Sequence, residues 1–143
     1  MDIKELTYAI NGAVFEVNKV LGPGFLEKVY ENALLTEMEK RGLKAESQVP
    51  LKVYYKEEMV GEYFADILVE GRIVIEIKTV ESIGKSHEAQ LLNSLKATGL
   101  KVGLLVNFKH DPARSRGWYL TCPKGRMAND RPCRPVIVCV CLR

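Results

Sequence analysis

Asp66, Glu76 and Lys78 are the residues of this chain whose types and spacing are best suited to chemistry. They lie within residues 64–78, a segment rich in Ile and Val that is predicted to form two β-strands. A charged side chain inside an apolar strand is costly unless it is paired or binds a metal ion. The three residues therefore form either a structural ion cluster, with a partly buried Asp66–Lys78 salt bridge, or an active site.

The turn between the two predicted strands decides whether Asp66 and Glu76 can meet. A two-residue loop would pair Val69 with Arg72 and turn Asp66 the other way. A three-residue loop would pair Val69 with Ile73 and place Asp66 opposite Glu76. We predict the three-residue loop, because it also gathers the apolar side chains of both strands on one face. That face consists of Ile67, Val69, Ile73, Ile75 and Ile77.

Hydrophobic spacing along the rest of the chain predicts the elements that position these residues. We predict helices over residues 2–21, 25–41 and 85–98, and strands over residues 49–55, 59–69, 72–80 and 101–108. Gly42 and Gly99 are predicted to end the second and third helices. The predicted order is α-α-β-β-β-α-β, an α/β (α+β) fold.

Length and charge set the broad class of the protein. A chain of 143 residues is one domain by size, and the absence of a long apolar run or leader predicts a soluble cytoplasmic protein without a membrane partner. Residues 1–109 hold 14 Lys and Arg against 16 Asp and Glu, whereas residues 110–143 hold seven against two. The main part of the chain lacks a strongly basic footprint, so charge neither supports nor excludes a nucleic-acid partner.

The composition changes after residue 108. Six of the eight arginines and all four cysteines lie beyond it. We therefore divide the chain into a domain over residues 1–108 and a divergent tail over 109–143, with irregular structure and a last strand over 135–142. The cysteines lack zinc-ligand spacing and are predicted to be reduced and unliganded.

A series of short motifs follows the same order as the predicted elements. They are Gly24-Phe25-Leu26-Glu27-Lys28-Val29-Tyr30, Gln48-Val49-Pro50, Val53-Tyr54-Tyr55, Ala65-Asp66, Glu76-Ile77-Lys78, His87-Glu88-Ala89-Gln90-Leu91-Leu92-Asn93, Leu95-Lys96-Ala97-Thr98-Gly99 and Val106-Asn107-Phe108. With the order of elements, these motifs resemble the GxxExxY proteins, within the PD-(D/E)XK nuclease superfamily. The resemblance covers about three quarters of the chain.

The resemblance implies a restriction-endonuclease-like core, a central mixed sheet flanked by helices. It also implies metal-assisted hydrolysis of phosphodiester bonds in DNA or RNA. Asp66, Glu76, the backbone carbonyl of Ile77 and Glu27 would bind Mg²⁺ or Mn²⁺. Lys78 would orient the attacking water or stabilise charge on the phosphate, and Gln90 would position water or substrate. Nucleases that cut both strands often form homodimers, so a homodimer is one implied assembly.

Several of these residues also have purely structural explanations. Glu27 favours the dipole at a helix start, Gln90 fits an ordinary helix surface, and Tyr30 fits the core. His87 fits a contact at a helix N-terminus. The superfamily includes proteins that keep the fold without catalysis, so a catalytically inactive nucleic-acid- or protein-binding module is the alternative function.

Overall fold

The part of the chain that the structure describes forms one mixed sheet of six strands with helices on both faces. The computed structural model describes residues 1–110, 113–121 and 134–138. The elements are α1 (Ile3–Leu21), α2 (Glu27–Lys40), β1 (Ala45–Tyr55), β2 (Glu58–Val69), β3 (Ile73–Lys78), α3 (Lys85–Thr98), β4 (Val102–Asn107), β5 (Arg114–Thr121) and β6 (Arg134–Val138). The first seven elements follow the predicted order, and β5 and β6 extend it.

The strands lie in the sheet in their order along the chain, from β1 to β6. All neighbouring strands are antiparallel except β3 and β4, which are parallel and are joined through α3. Because β3 and β4 are covered on both faces, both consist almost entirely of buried residues. The charged residues of β3 therefore lie in the most buried part of the sheet.

Two hydrophobic cores lie on opposite faces of the sheet. Helices α1 and α2 cover one face, where Leu6, Ile10 and Leu34 pack on β3 and β4. Helix α3 covers the other face through Leu91 and Leu95. Within the described ranges, no helix is long and apolar enough to cross a bilayer.

The helix ends agree with the signals in the sequence. Helix α2 ends with Arg41 as its C-cap, and the next residue, Gly42, adopts a left-handed conformation with φ 73°. The Gly42 and Leu43 amides donate to the carbonyls of Glu39 and Met38, the pattern of a Schellman motif. Helix α3 ends at Gly99, as predicted.

The tail departs from the expectation of irregular structure. Strand β5 (Arg114–Thr121) pairs along the whole of β4, so the outer edge of β4 is covered. The apolar pattern typical of a strand is interrupted here by Arg114, Arg116 and Gly117. Backbone pairing with β4 outweighs this weak local preference for a strand. The predicted strand over 135–142 corresponds to β6 (Arg134–Val138), while all four cysteines lie outside the described residues. The division of the chain at residue 108 stays a prediction.

Gly103 allows α3 to pack closely on β4, and we expect Gly103→Ala to lower the free energy of unfolding by about 1–3 kcal/mol. An added Cβ would lie 2.7 Å from Leu91 Cδ1 and 3.1 Å from its Cγ. Because Leu91 is fully buried, it has little room to move away. Gly61→Ala on β2 is the control, since the nearest atom to its added Cβ is 3.9 Å away. Urea unfolding of both variants measures the difference, and equal stabilities would contradict the close packing.

Candidate active site

The β2–β3 hairpin has the register that the sequence predicts. Val69 pairs with Ile73 and Ile67 pairs with Ile75, across a three-residue loop. Glu70 and Gly71 adopt left-handed conformations in that loop, with φ 53° and 62°. All five predicted side chains of the apolar face are buried in the core under α1 and α2. Glu76 therefore faces the opposite side, toward α3.

Asp66 lies one residue beyond the last backbone pair between β2 and β3. Its Oδ2 accepts a hydrogen bond of 2.7 Å from the backbone amide of Ile77. The Asp66 carboxylate thus accepts a hydrogen bond that a backbone carbonyl would accept in a continuous strand pair, at the point where β2 and β3 separate. This hydrogen bond fixes Asp66 beside the neighbours of Ile77 in the sequence, Glu76 and Lys78.

Glu76 is buried on β3, with only 1% of its surface exposed. Its Oε1 accepts a hydrogen bond of 3.2 Å from the Ser94 hydroxyl on α3, while its Oε2 accepts no hydrogen bond; the protonated carboxyl group can donate one to Asp66. Burial raises the pKa of Glu76 to about 8, the negative charge of Asp66 and a hydrogen bond with Asp66 add to the rise, and Lys78 and Ser94 oppose it. Without a bound cation, this carboxyl group is mostly protonated at neutral pH.

Lys78 and Gln90 meet at the surface above Glu76. The Lys78 ammonium donates a hydrogen bond of 2.8 Å to the side-chain carbonyl oxygen of Gln90 on α3. Among the ion pairs of the described residues, none joins Lys78 to Asp66. The structural alternative of an Asp66–Lys78 salt bridge is therefore not what the structure contains. The lysine instead has a neutral hydrogen-bond partner, and its charge acts on Glu76 without a direct ion pair.

Glu27 is the first residue of α2 and is exposed to solvent. In the described part of the chain, no three His, Cys, Asp or Glu side chains are grouped closely enough to hold a metal ion. The structure thus brings Asp66, Glu76, Lys78 and Gln90 into one region but does not add the Glu27 side chain to a carboxylate cluster.

Sequence reasoning missed Glu31, one helical turn after Glu27. Glu31 is 4% exposed, and its two oxygens accept hydrogen bonds of 3.0 Å from Lys28 and from Gln48 on β1. The sequence did contain a signal for the burial of Glu31, because an acid three residues before the buried Leu34 lies close to the apolar stripe of the helix. Its partner Gln48 lies on β1, outside the hairpin that carries Asp66 and Glu76.

Two structural explanations offered for motif residues are confirmed. Tyr30 is fully buried, stacks on Phe108 with ring centroids 4.4 Å apart, and donates a hydrogen bond of 2.6 Å to the Gly22 carbonyl. His87 accepts a hydrogen bond of 2.9 Å through Nδ1 from the amide of Gly84, at the start of α3. Both side chains therefore have structural contacts, Tyr30 in the core under α1 and α2 and His87 at the start of α3.

The donor set fits a hard divalent cation. Glu76 Oε2 is a buried carboxylate oxygen without a hydrogen-bond donor, and such an oxygen is stable as an anion only beside a positive charge. The neighbouring Asp66 provides a second carboxylate, and carboxylate oxygens are the ligands that Mg²⁺ and Mn²⁺ prefer. Asp66 and Glu76 are thus the residues here that could hold such an ion.

Comparison with known proteins adds one finding to this geometry. A family model for the PD-(D/E)XK nuclease superfamily matches residues 4–118, most of the chain. The match includes every predicted site residue, and it confirms the predicted fold class. It does not separate the GxxExxY proteins from the rest of the superfamily, so that finer assignment stays a prediction. The searches of curated proteins and of solved structures found no match.

Proposed function

The chain belongs to the PD-(D/E)XK nuclease superfamily, and from that premise we propose that it is a metal-dependent nuclease that hydrolyses phosphodiester bonds of nucleic acid. The observation that carries the proposal is the buried Glu76 carboxyl group beside Asp66, whose Oε2 accepts no hydrogen bond when ionised. A buried acid beside a second acid lowers the stability of the protein. A bound cation would offset that loss of stability, so the two acids are suited to binding a metal ion.

Each residue has a defined part in the proposed reaction. Asp66 and Glu76 would bind Mg²⁺ or Mn²⁺, together with the backbone carbonyl of Ile77. The bound ion would polarise the phosphate and lower the pKa of a water molecule. Glu27, which is exposed, stays in the proposal as a water-bridged contact.

Lys78 and Gln90 would act on the substrate side. The Lys78 ammonium is a compact positive charge suited to an oxygen on which negative charge develops. Gln90 holds that ammonium by a hydrogen bond of 2.8 Å, which restricts its conformations. Nucleic acid, as DNA or RNA, is the proposed partner.

A second function is favoured by the exposed arm, which we define as residues 49–64 of β1 and β2. β3 pairs only with residues 67–69 of β2, so the arm extends beyond the rest of the sheet. It carries six large apolar side chains that are between 43% and 62% exposed: Tyr54, Tyr55, Met59, Val60, Tyr63 and Phe64. Exposed apolar groups of this kind are typical of binding surfaces. The alternative is thus a non-catalytic nucleic-acid- or protein-binding module.

The experiment that decides between the two is a cleavage assay of the full chain with Mg²⁺ or Mn²⁺ on labelled single- and double-stranded DNA and RNA. Asp66→Asn keeps an oxygen that can accept from Ile77 but removes the charge, and we expect it to lower cleavage by more than about a hundredfold. Glu62→Gln removes an exposed acid of the same strand and should cleave normally. Binding of nucleic acid without cleavage by the wild type would favour the binding module.

A further inference from the structure

Glu31 and Gln48 link α2 to the middle of β1. The Gln48 side-chain amide donates a hydrogen bond of 3.0 Å to Glu31 Oε2. The Lys28 ammonium lies 3.0 Å from Glu31 Oε1, so both carboxylate oxygens have partners. The Glu31 side chain is 6% exposed, whereas that of Lys28 is 62% exposed. Because a buried carboxylate is costly, its neutral partner Gln48 stabilises an otherwise unfavourable group.

Gln48 is also unusual in its backbone. It has φ 50°, a left-handed conformation that a non-glycine residue rarely adopts within a strand. Ser47 pairs with Ile67 and Val49 pairs with Ala65, so Gln48 lies across from Asp66. The strained residue of β1 is therefore the one that faces the candidate metal ligand of β2. Strain of this kind persists where surrounding contacts hold it.

We propose that Glu31 and Gln48 form a positioning pair that fixes the local path of β1 and thereby the place of Asp66. The effect of this pair on catalysis rests on the proposed nuclease function, whereas its effect on the position of Asp66 does not. Glu31 acts as a hydrogen-bond acceptor for Gln48, not as a metal ligand, because both of its oxygens are already occupied. The Glu31–Gln48 pair is comparable to the hydrogen bond from Ser94 on α3, which orients the Glu76 side chain.

Two measurements on the metal-free and metal-loaded full chain test the pair. The first is the Mn²⁺ dissociation constant from calorimetry. The second is the hydrogen-exchange rate of the Ile77 amide without metal, since this amide donates to Asp66. Gln48→Gly is the informative variant, because glycine adopts φ 50° without strain and only the side chain is lost. We expect Mn²⁺ binding about tenfold weaker and faster exchange at Ile77, while the relief of backbone strain partly offsets the stability lost with the hydrogen bond to Glu31.

Variants of Glu31 separate positioning from ligation. Glu31→Gln keeps an oxygen that can accept from Gln48, so its Mn²⁺ affinity should stay within about threefold of the wild type. Glu31→Ala should match Gln48→Gly, and the double variant should be no worse than either single variant. Lys28→Ala, which removes the exposed partner, is the control and should leave both measurements unchanged.

Unchanged Mn²⁺ affinity and Ile77 exchange in Gln48→Gly would overturn the positioning role. Equal losses in Glu31→Gln and Glu31→Ala would also overturn it, because they would show that Glu31 acts through its charge. A wild type that binds no Mn²⁺ would defeat the proposed metal-dependent nuclease instead. In that case, the exchange rate of the Ile77 amide still decides whether the pair holds Asp66.

Discussion

Glu76→Gln, free of metal, should have a free energy of unfolding at about pH 9 that is about 2–5 kcal/mol higher than that of the wild type. Burial, followed by the charge of Asp66, raises the pKa of Glu76 from 4.5 to about 8. Above that pH the wild type therefore holds an unfavourable buried anion. Glutamine has nearly the same shape, keeps an acceptor for the Ser94 hydroxyl and carries no charge.

The stability advantage of Glu76→Gln over the wild type should increase with pH. In the unfolded chain Glu76 loses its proton above about 4.5, but in the native protein it keeps the proton up to about 8. Between these values the native state binds more protons, so the free energy of unfolding of the wild type falls as the pH rises. The advantage of Glu76→Gln is thus absent below the lower pKa, grows through this window and is complete above the upper pKa.

Urea unfolding in a chelator across this pH range measures the effect. Glu62→Gln removes an exposed acid from β2 and should change the free energy of unfolding by less than about 0.5 kcal/mol at every pH. Added Mg²⁺ should stabilise the wild type and leave Glu76→Gln nearly unaffected. If the stability difference between Glu76→Gln and the wild type did not grow with pH, the buried carboxylate would not be the destabilising group.

The hairpin that carries Asp66 and Glu76 could be predicted from sequence because local rules fix it. Side chains alternate along a strand, and only one loop length placed all five apolar residues on the same face, so pattern and register agreed. The resemblance singled out Gln90 and the sequence ended its helix at Gly99, but the contact of Gln90 with Lys78 was not predicted. The predicted features depend on residues close together in the chain.

The features that sequence reasoning missed depend on contacts between distant segments. Glu31 and Gln48 are 17 residues apart. The apolar stripe of α2 gives a weak sign that Glu31 is buried, but no local pattern indicates the left-handed backbone of Gln48 or the contact between the two residues. Strand β5 forms because β4 offers an open edge, although the apolar pattern of residues 114–117 is poor. In the same way, Glu27 is the acid of the recognisable motif, but the buried acid of α2 is Glu31.

Lys78→Ala should lower the rate of cleavage by roughly a hundredfold to a thousandfold, through the catalytic rate constant and not through substrate binding. The ammonium of Lys78 is held by Gln90 and has no carboxylate partner among the ion pairs of the described residues, so its charge is available to the reacting phosphate. Gln90→Ala leaves the charge but frees the side chain, and a smaller loss of about tenfold should result. Single-turnover cleavage at saturating substrate measures both.

The same lysine also lowers the pKa of Glu76, and this second effect has a recognisable signature. Without Lys78 the Glu76 proton is held more tightly, so metal binding at pH 7 should weaken, because the ion must displace that proton. At about pH 9, where Glu76 is ionised in the wild type, the difference in metal affinity should shrink while the cleavage defect persists. Lys52→Ala, at an exposed position of β1, should change neither quantity. If the cleavage defect of Lys78→Ala disappeared at the higher pH, Lys78 would act only by lowering the pKa of Glu76 and would have no direct part in the reaction.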